Sequence, residues 1–241
     1  GNHRYGKSND GQEGYRRSEQ MWKRDPAFRA ATVKPALLEC MAQCFGHPYM
    51  PVNDSFVVKI PRGNIPVLWH QDPPYMGGKD PHGIETLDVP NFDTDSYLDE
   101  TTVENGCVWG IPGHHLVGSV DLARYTEEQL FNDCGAVPLE MKPGDVLFHC
   151  LSAPHGSIGN KTDTVRKIFY IHYMPREVTE KSYGHFNWVK GDIFNEKGMK
   201  RNEEFIADRE KLGFDAVRSP HIKHTAEGFA FHPPAGPPTT S

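Results

Sequence analysis

The chain has 241 residues, 37% hydrophobic and 24% charged, with a formal charge of −6; this suits one globular domain and leaves no room for two large ones. The negative sign is wrong for a protein that grips nucleic acid through its phosphates, and no apolar run approaches the ~20 residues that cross a bilayer. Twenty-three glycines and twenty prolines demand many turns and exclude a long helical bundle.

Residues 1 to 25 are polar and without a sustained period, so they read as loop or as an incompletely represented element. A helix is expected over 33–45, where Leu37, Leu38, Met41, Cys44 and Phe45 form an apolar stripe, Pro35 sits in the first turn and Gly46 ends it. It should pack on a sheet. Beyond it the period changes to two, predicting strands over 56–60, 67–70, 94–98, 107–111, 137–141, 146–149 and 165–173, separated by turn signals such as Lys142-Pro143-Gly144-Asp145. Their regular spacing implies a mainly β sandwich or barrel with flanking helices. The acidic, turn-rich stretch 73–98, which includes Asp93 and Asp95, reads either as a lid over a substrate or as a solvated excursion. Thr126 to Gln129 is a capping box opening a short helix, and a further helix is expected over 202–212. From Ser219 onward, with Pro233-Pro234 and Pro237-Pro238, the chain is tail-like. Five scattered cysteines without a CxxC pair argue against a disulfide scaffold; with no apolar leader in the residues given, they set the expectation of a cytoplasmic protein.

The chemistry begins at Trp69-His70-Gln71-Asp72, at the end of a predicted strand, where alternation turns His70 and Asp72 to one side. A divalent iron that must also take a co-substrate and oxygen needs two His and one carboxylate on one face, with the opposite face open. Alone, such a triplet is a weak signal, and a strand-end surface His is the bland alternative. The candidate third ligand is His155 in Pro154-His155-Gly156-Ser157, with His149 and His172 as reserves. A hairpin through Gly159-Asn160-Lys161-Thr162 would return Arg166 to the strand beside His155. There its planar fork suits the far carboxylate of a dicarboxylate, unless it merely pairs with an acid at the surface. Lys59 is open between a structural role and one in the cavity. His114 and His115 follow a Pro-Gly turn and read as turn residues. Cys40 and Cys44 read as buried apolar thiols rather than metal ligands.

Together, Lys59-Ile60-Pro61, Trp69-His70-Gln71-Asp72, Glu104-Asn105-Gly106-Cys107, Pro112-Gly113-His114-His115, Lys142-Pro143-Gly144-Asp145, Pro154-His155-Gly156-Ser157 and Arg166-Lys167 resemble, in this order, the phytanoyl-CoA dioxygenase family of iron(II)- and 2-oxoglutarate-dependent oxygenases. The resemblance covers about residues 52 to 174. It implies a double-stranded β-helix (a jelly roll, cupin-like) with iron inside one mouth. Carried over, it makes His70, Asp72 and His155 the metal ligands, Arg166 the partner of the distal 2-oxoglutarate carboxylate and Ser157 a second hydrogen bond to it. It also implies hydroxylation of a small organic molecule, coupled to oxidation of 2-oxoglutarate by O2 to succinate and CO2. Asp72 disfavours halogenation, which in this family replaces the carboxylate with a small residue. The family has a longer stretch ahead of its first metal motif than the 69 residues here.

The organisation expected is one domain: an N-terminal polar segment and helix over 1–51, a catalytic β core over 52–176, and a C-terminal helix and Pro-rich tail over 177–241. The partners expected are a small-molecule substrate, without nucleic acid or membrane; the oligomeric state is open. The rival class is a cupin-like protein that binds a metal or metabolite without turnover, separated from the oxygenase by co-substrate decarboxylation.

Overall fold

The computed structural model describes residues 3–8, 10–32, 34, 36–37, 40–41, 49–72, 92–114, 120–175, 222–225 and 228–231. In chain order its strands are β1 (His3–Lys7), β2 (Glu13–Glu19), β3 (Tyr49–Lys59), β4 (Val67–His70), β5 (Phe92–Tyr97), β6 (Val108–Gly110), β7 (Val137–Leu139), β8 (Val146–Cys150), β9 (His155–Ser157), β10 (Arg166–Pro175), β11 (Ile222–Thr225) and β12 (Gly228–Phe231). Two described helices are α1 (Pro26–Thr32) and α2 (Glu127–Asn132). One antiparallel sheet has the order β1-β2-β3-β10-β5-β8, a second β4-β9-β6-β7, and β11 pairs with β12. From β3 to β10 the chain passes from sheet to sheet at every step except β6 to β7, which is the winding of a double-stranded β-helix. All seven expected strands are present, and no described helix is long and apolar enough to cross a membrane.

Strand alternation gives the six-stranded sheet two unlike faces. Val146, Phe148, Phe92, Phe56, Phe169, Ile171 and Tyr173 point to one face, where Leu37, Met41, Met21 and Phe28 cover them. Phe28 meets Phe169 edge-on at 4.9 Å and Phe56 at 5.5 Å. Each such ring or branched chain contributes about 1.5–3 kcal/mol by leaving water. The intervening residues, among them Lys59, Asp93, Asp95, His149, Arg166 and His172, point to the other face, toward the four-stranded sheet. That smaller sheet has an apolar outer cluster of its own, where Trp69 and Trp109 pack on Phe131 at 5.1 and 5.3 Å.

Several expectations change. Residues 3–7 and 13–19 are strands: β1 and β2 extend the large sheet, with Arg17, Ser18 and Glu19 paired to Val57, Phe56 and Ser55. An edge hairpin draws its order from main-chain bonds to β3, which an apolar period cannot reveal. The Asp54 carboxylate accepts the Met21 and Trp22 N–H groups at 2.6 and 2.9 Å, anchoring the turn that follows β2. The sheet therefore runs across the 51/52 division. Of the 33–45 helix, Ala36, Leu37, Cys40 and Met41 are helical, and Leu37 and Met41 are buried on the sheet; the rest lies outside the described residues. Ahead of it α1, with Pro26 at its first position, is an additional helix. Asp93 and Asp95 belong to β5, not to an acidic loop; residues 73–91 and the expected 202–212 helix lie outside the described residues. The tail contains the β11–β12 hairpin. The capping box is as read: Thr126 Oγ1 accepts the Gln129 N–H at 3.2 Å and Gln129 Oε1 the Thr126 N–H at 2.9 Å.

Candidate metal centre

Trp69 is turned outward onto Phe131, so alternation turns His70 inward at the end of β4. The two residues after it are tied to the segment that precedes β9. The Asp72 N–H donates to Leu151 O at 2.9 Å, Gln71 Nε2 to Ser152 O at 2.6 Å, and Gln71 Oε1 accepts the Val120 N–H at 2.7 Å. His155 opens β9 directly opposite His70, with Gly110 on its other side.

Three side chains thus converge: one ligand atom from each of His70, Asp72 and His155 lies within 4.8 Å of the others. His70 Nε2 is 3.7 Å from Asp72 Oδ1, and His155 Nε2 is 3.6 Å from Asp72 Oδ2. Each imidazole is tied at Nδ1 to the carbonyl two residues back, His70 to Leu68 O at 2.8 Å and His155 to Ala153 O at 2.9 Å. A carbonyl can only accept, so Nδ1 carries the proton and the Nε2 lone pair is left for a cation. Burial alone would raise the Asp72 carboxyl, but His155 and His70 beside it hold it below the ordinary carboxylate range. Burial, with His149 and His70 as neighbours, pushes His155 down to about 3, so it stays a neutral ligand.

Arg166 opens β10 opposite Lys59 and is 1% exposed. The two lie side by side on the inner face of the six-stranded sheet, but not by way of a hairpin: β9 pairs with β4 and β6 in one sheet while β10 pairs with β3 and β5 in the other. The turn after Ser157 is a crossing between sheets, and it places Arg166 opposite the strand of His155 rather than alongside it. Arg166 Nη2 donates to Gly106 O, while its Nε and Nη1 are buried without hydrogen-bond partners. Gly106 is required there: its φ is 85°, and a Cβ would stand 2.5 Å from Ile158 O. Lys59 Nζ donates to Ile65 O at 3.2 Å and to Ile158 O, and burial followed by the Arg166 charge pushes it well below its ordinary range. Among the described residues neither cation is ion-paired. A buried guanidinium without an ion pair calls for an anion. Ser157, two residues from His155 on the same face of β9, is buried as well.

His149 and His172, the reserves for His155, are not among the three residues whose ligand atoms converge. His149 contacts the His155 ring at 4.7 Å, with Nδ1 3.3 Å from Asp95 Oδ2 and Nε2 3.9 Å from Asp93 Oδ2. Burial opposes its charge, but Asp95 and then Asp93 carry it up to about 9. Burial pushes Asp93 up to about 7 and His172 down to about 4. Neither ring nitrogen of His149 nor Nε2 of His172 makes a hydrogen bond. The signal for this cluster was the parity of β5, which sets Asp93, Asp95 and Tyr97 on one face and Phe92, Thr94 and Ser96 on the other. His114 is in the exposed turn that was expected, and His115 lies outside the described residues.

The donor set of two neutral imidazoles and a carboxylate fits a non-haem iron facial site, and the partnerless guanidinium fits a carboxylate at its far end. The phytanoyl-CoA dioxygenase (PhyH) family model matches residues 4–168. A methylphosphonate hydroxylase of Gimesia maris is 26% identical over 148 residues, covering 61% of this chain and 53% of the relative. The chain therefore spans about half the length of that relative. Among solved structures, EvdMO1 superposes with a TM-score of 0.59 at 26% identity, over 73% of this chain and 39% of the other. AviO1 from Streptomyces viridochromogenes Tue57 has a TM-score of 0.57 at 24% identity, over 73% and 74%; at that identity it speaks for the fold.

Proposed function

The chain belongs to the phytanoyl-CoA dioxygenase family, and on that premise we propose that it is an iron(II)- and 2-oxoglutarate-dependent oxygenase that hydroxylates a small organic molecule. The observation that carries this reading is the convergence of His70, Asp72 and His155 on one point, each imidazole presenting Nε2. Iron bound there supplies the activation of O2 and the oxidation of 2-oxoglutarate to succinate and CO2.

The chain's own residues do the rest. His70, Asp72 and His155 occupy one side of the metal and leave the other for co-substrate and oxygen. Arg166, whose Nε and Nη1 have no hydrogen-bond partner among the described residues, takes the distal carboxylate of 2-oxoglutarate, a contact that Ser157 supplements. Lys59, beside Arg166 on the neighbouring strand, ties that strand to Ile65 O and Ile158 O. Leu68 O and Ala153 O hold the ligand rings in the binding tautomer, and Gln71 ties the His70–Asp72 segment to that of His155. An acyl-CoA substrate would want a basic patch for its nucleotide phosphates; the acidic 73–98 segment speaks against one.

The test is anaerobic addition of iron(II) and 2-oxoglutarate to the purified protein, followed by oxygen. A visible charge-transfer band and then succinate are expected. Absence of the band in folded protein overturns the reading; a band that never yields succinate with any substrate favours a binding protein without turnover.

A further inference from the structure

We infer that His149, clamped between Asp93 and Asp95, is a positioning residue that fixes the ring of the metal ligand His155. This rests on the metal-centre reading above. Among the described residues His155 has one side-chain hydrogen bond, from Nδ1 to Ala153 O, and it stands on a strand of three residues. One in-plane bond leaves the imidazole free to swing about it, which would carry Nε2 away from the position shared with His70 and Asp72. Ring contacts oppose that swing: His70 touches His155 with centroids 4.3 Å apart, and His149 touches it at 4.7 Å with the planes 40° apart. The two props differ. His70 is itself a ligand on an open strand end, its side chain 38% exposed, whereas the His149 side chain is 10% exposed, on the inner face of β8 at the edge of the six-stranded sheet.

His149 is held from both ends. Asp93 is its register partner across β5 and β8, and Asp95 lies two residues further along the same face. The imidazole thus spans two carboxylates, with Nδ1 toward Asp95 and Nε2 toward Asp93. Asp95 is wholly buried, and neither of its oxygens makes a hydrogen bond; a carboxylate is left dry there only beside a group that answers it, and His149 at 3.3 Å is that group. Because its nitrogens face these carboxylates, His149 stands outside the set of three ligand atoms that meet within 4.8 Å. Its part is to brace a ligand, with Asp95 acting through it. Partners of this kind change metal affinity by about 10- to 100-fold when removed.

Cobalt(II) binding, read by titration and by the visible d–d spectrum, tests this without turnover. His149→Ala is expected to weaken cobalt affinity at least about 10-fold and to alter the spectrum. Asp95→Asn should give a smaller loss of the same kind, and Asp95→Asn/His149→Ala no more than His149→Ala alone, since Asp95 works through the imidazole. His149→Asn, which keeps a donor toward Asp95, should restore part of the affinity; His149→Phe, which fills the same space, serves if the alanine variant does not fold. Wild-type affinity and spectrum in His149→Ala or His149→Phe overturn the inference, as does an Asp95→Asn loss that is undiminished in the His149→Ala background. If the wild-type protein itself binds neither cobalt nor iron, the oxygenase reading falls and this inference with it.

Discussion

The two faces of the six-stranded sheet are made by the same strands and do opposite work. Toward α1, β10 shows Phe169, Ile171 and Tyr173; toward the smaller sheet it shows Arg166, Tyr170 and His172, one residue out of step. On β5 the same step separates Phe92 from Asp93. The apolar face is closed: Ile171 and Tyr173 are completely buried, and the Tyr173 hydroxyl donates to Thr32 O at 2.7 Å. The polar face carries buried groups without hydrogen-bond partners among the described residues, Arg166 Nε and Nη1 first among them. Partnerless buried groups cost stability, so the closed face and the outer cluster around Trp69 must hold the fold while the inner face stays unsatisfied until ligands arrive.

If that division of labour is right, changes on the two faces separate cleanly. The largest effect belongs to Asp72→Ala, which should weaken metal binding by at least about 100-fold and abolish turnover while the thermal midpoint of the metal-free protein stays near that of wild type; persisting turnover would remove Asp72 from the centre. Phe169→Ala, on the closed face, should do the reverse: about 3–5 kcal/mol lost in denaturant unfolding, with metal affinity of the folded fraction unchanged. Arg166→Ala should cost about 2–4 kcal/mol in 2-oxoglutarate affinity, roughly 30- to 700-fold, and leave metal affinity in place. Titration of the charge-transfer band with co-substrate separates the two, and an unchanged half-saturation point would take Arg166 out of the site.

A pH profile sharpens the same contrast. His172 is held at about 4 by burial, below its unfolded value of 6.5. The unfolded chain therefore binds the proton first, and the stability that His172 contributes is present above pH 6.5 and lost as pH falls toward 4. Thermal midpoints of the metal-free protein should fall over that window, and His172→Gln should flatten the fall; an unchanged slope would show that the residue is solvated. The smallest effect is reserved for neither face. Thr126→Ala removes the cap of α2 and should cost about 1 kcal/mol, with ligand binding untouched.

How much was legible depended on which force shaped each part. The seven central strands were readable because half-buried strands alternate, and Trp69-His70-Gln71-Asp72 was readable because the same alternation turns His70 inward. The N-terminal hairpin was not, since Arg17, Ser18 and Glu19 are ordered by main-chain pairing with β3 rather than by an apolar period. The path to Arg166 is not legible because a turn signal marks a reversal of the chain without saying which sheet receives it. Asp93 is hard to tell from the acidic stretch before it, since a carboxylate on a buried strand face reads locally like one in a loop.

The chain alone determined the mainly β class, the ordered motif series and the residue types of the candidate centre, because strand period and donor chemistry are local properties. Only the tertiary structure decided that β9 and β10 lie in opposing sheets, that Lys59 stands beside Arg166, and that His149 rests on His155 between two carboxylates. Those are contacts between strands far apart in the chain. Their register is set by the burial of whole faces at once, a cooperative choice that no single stretch of residues carries.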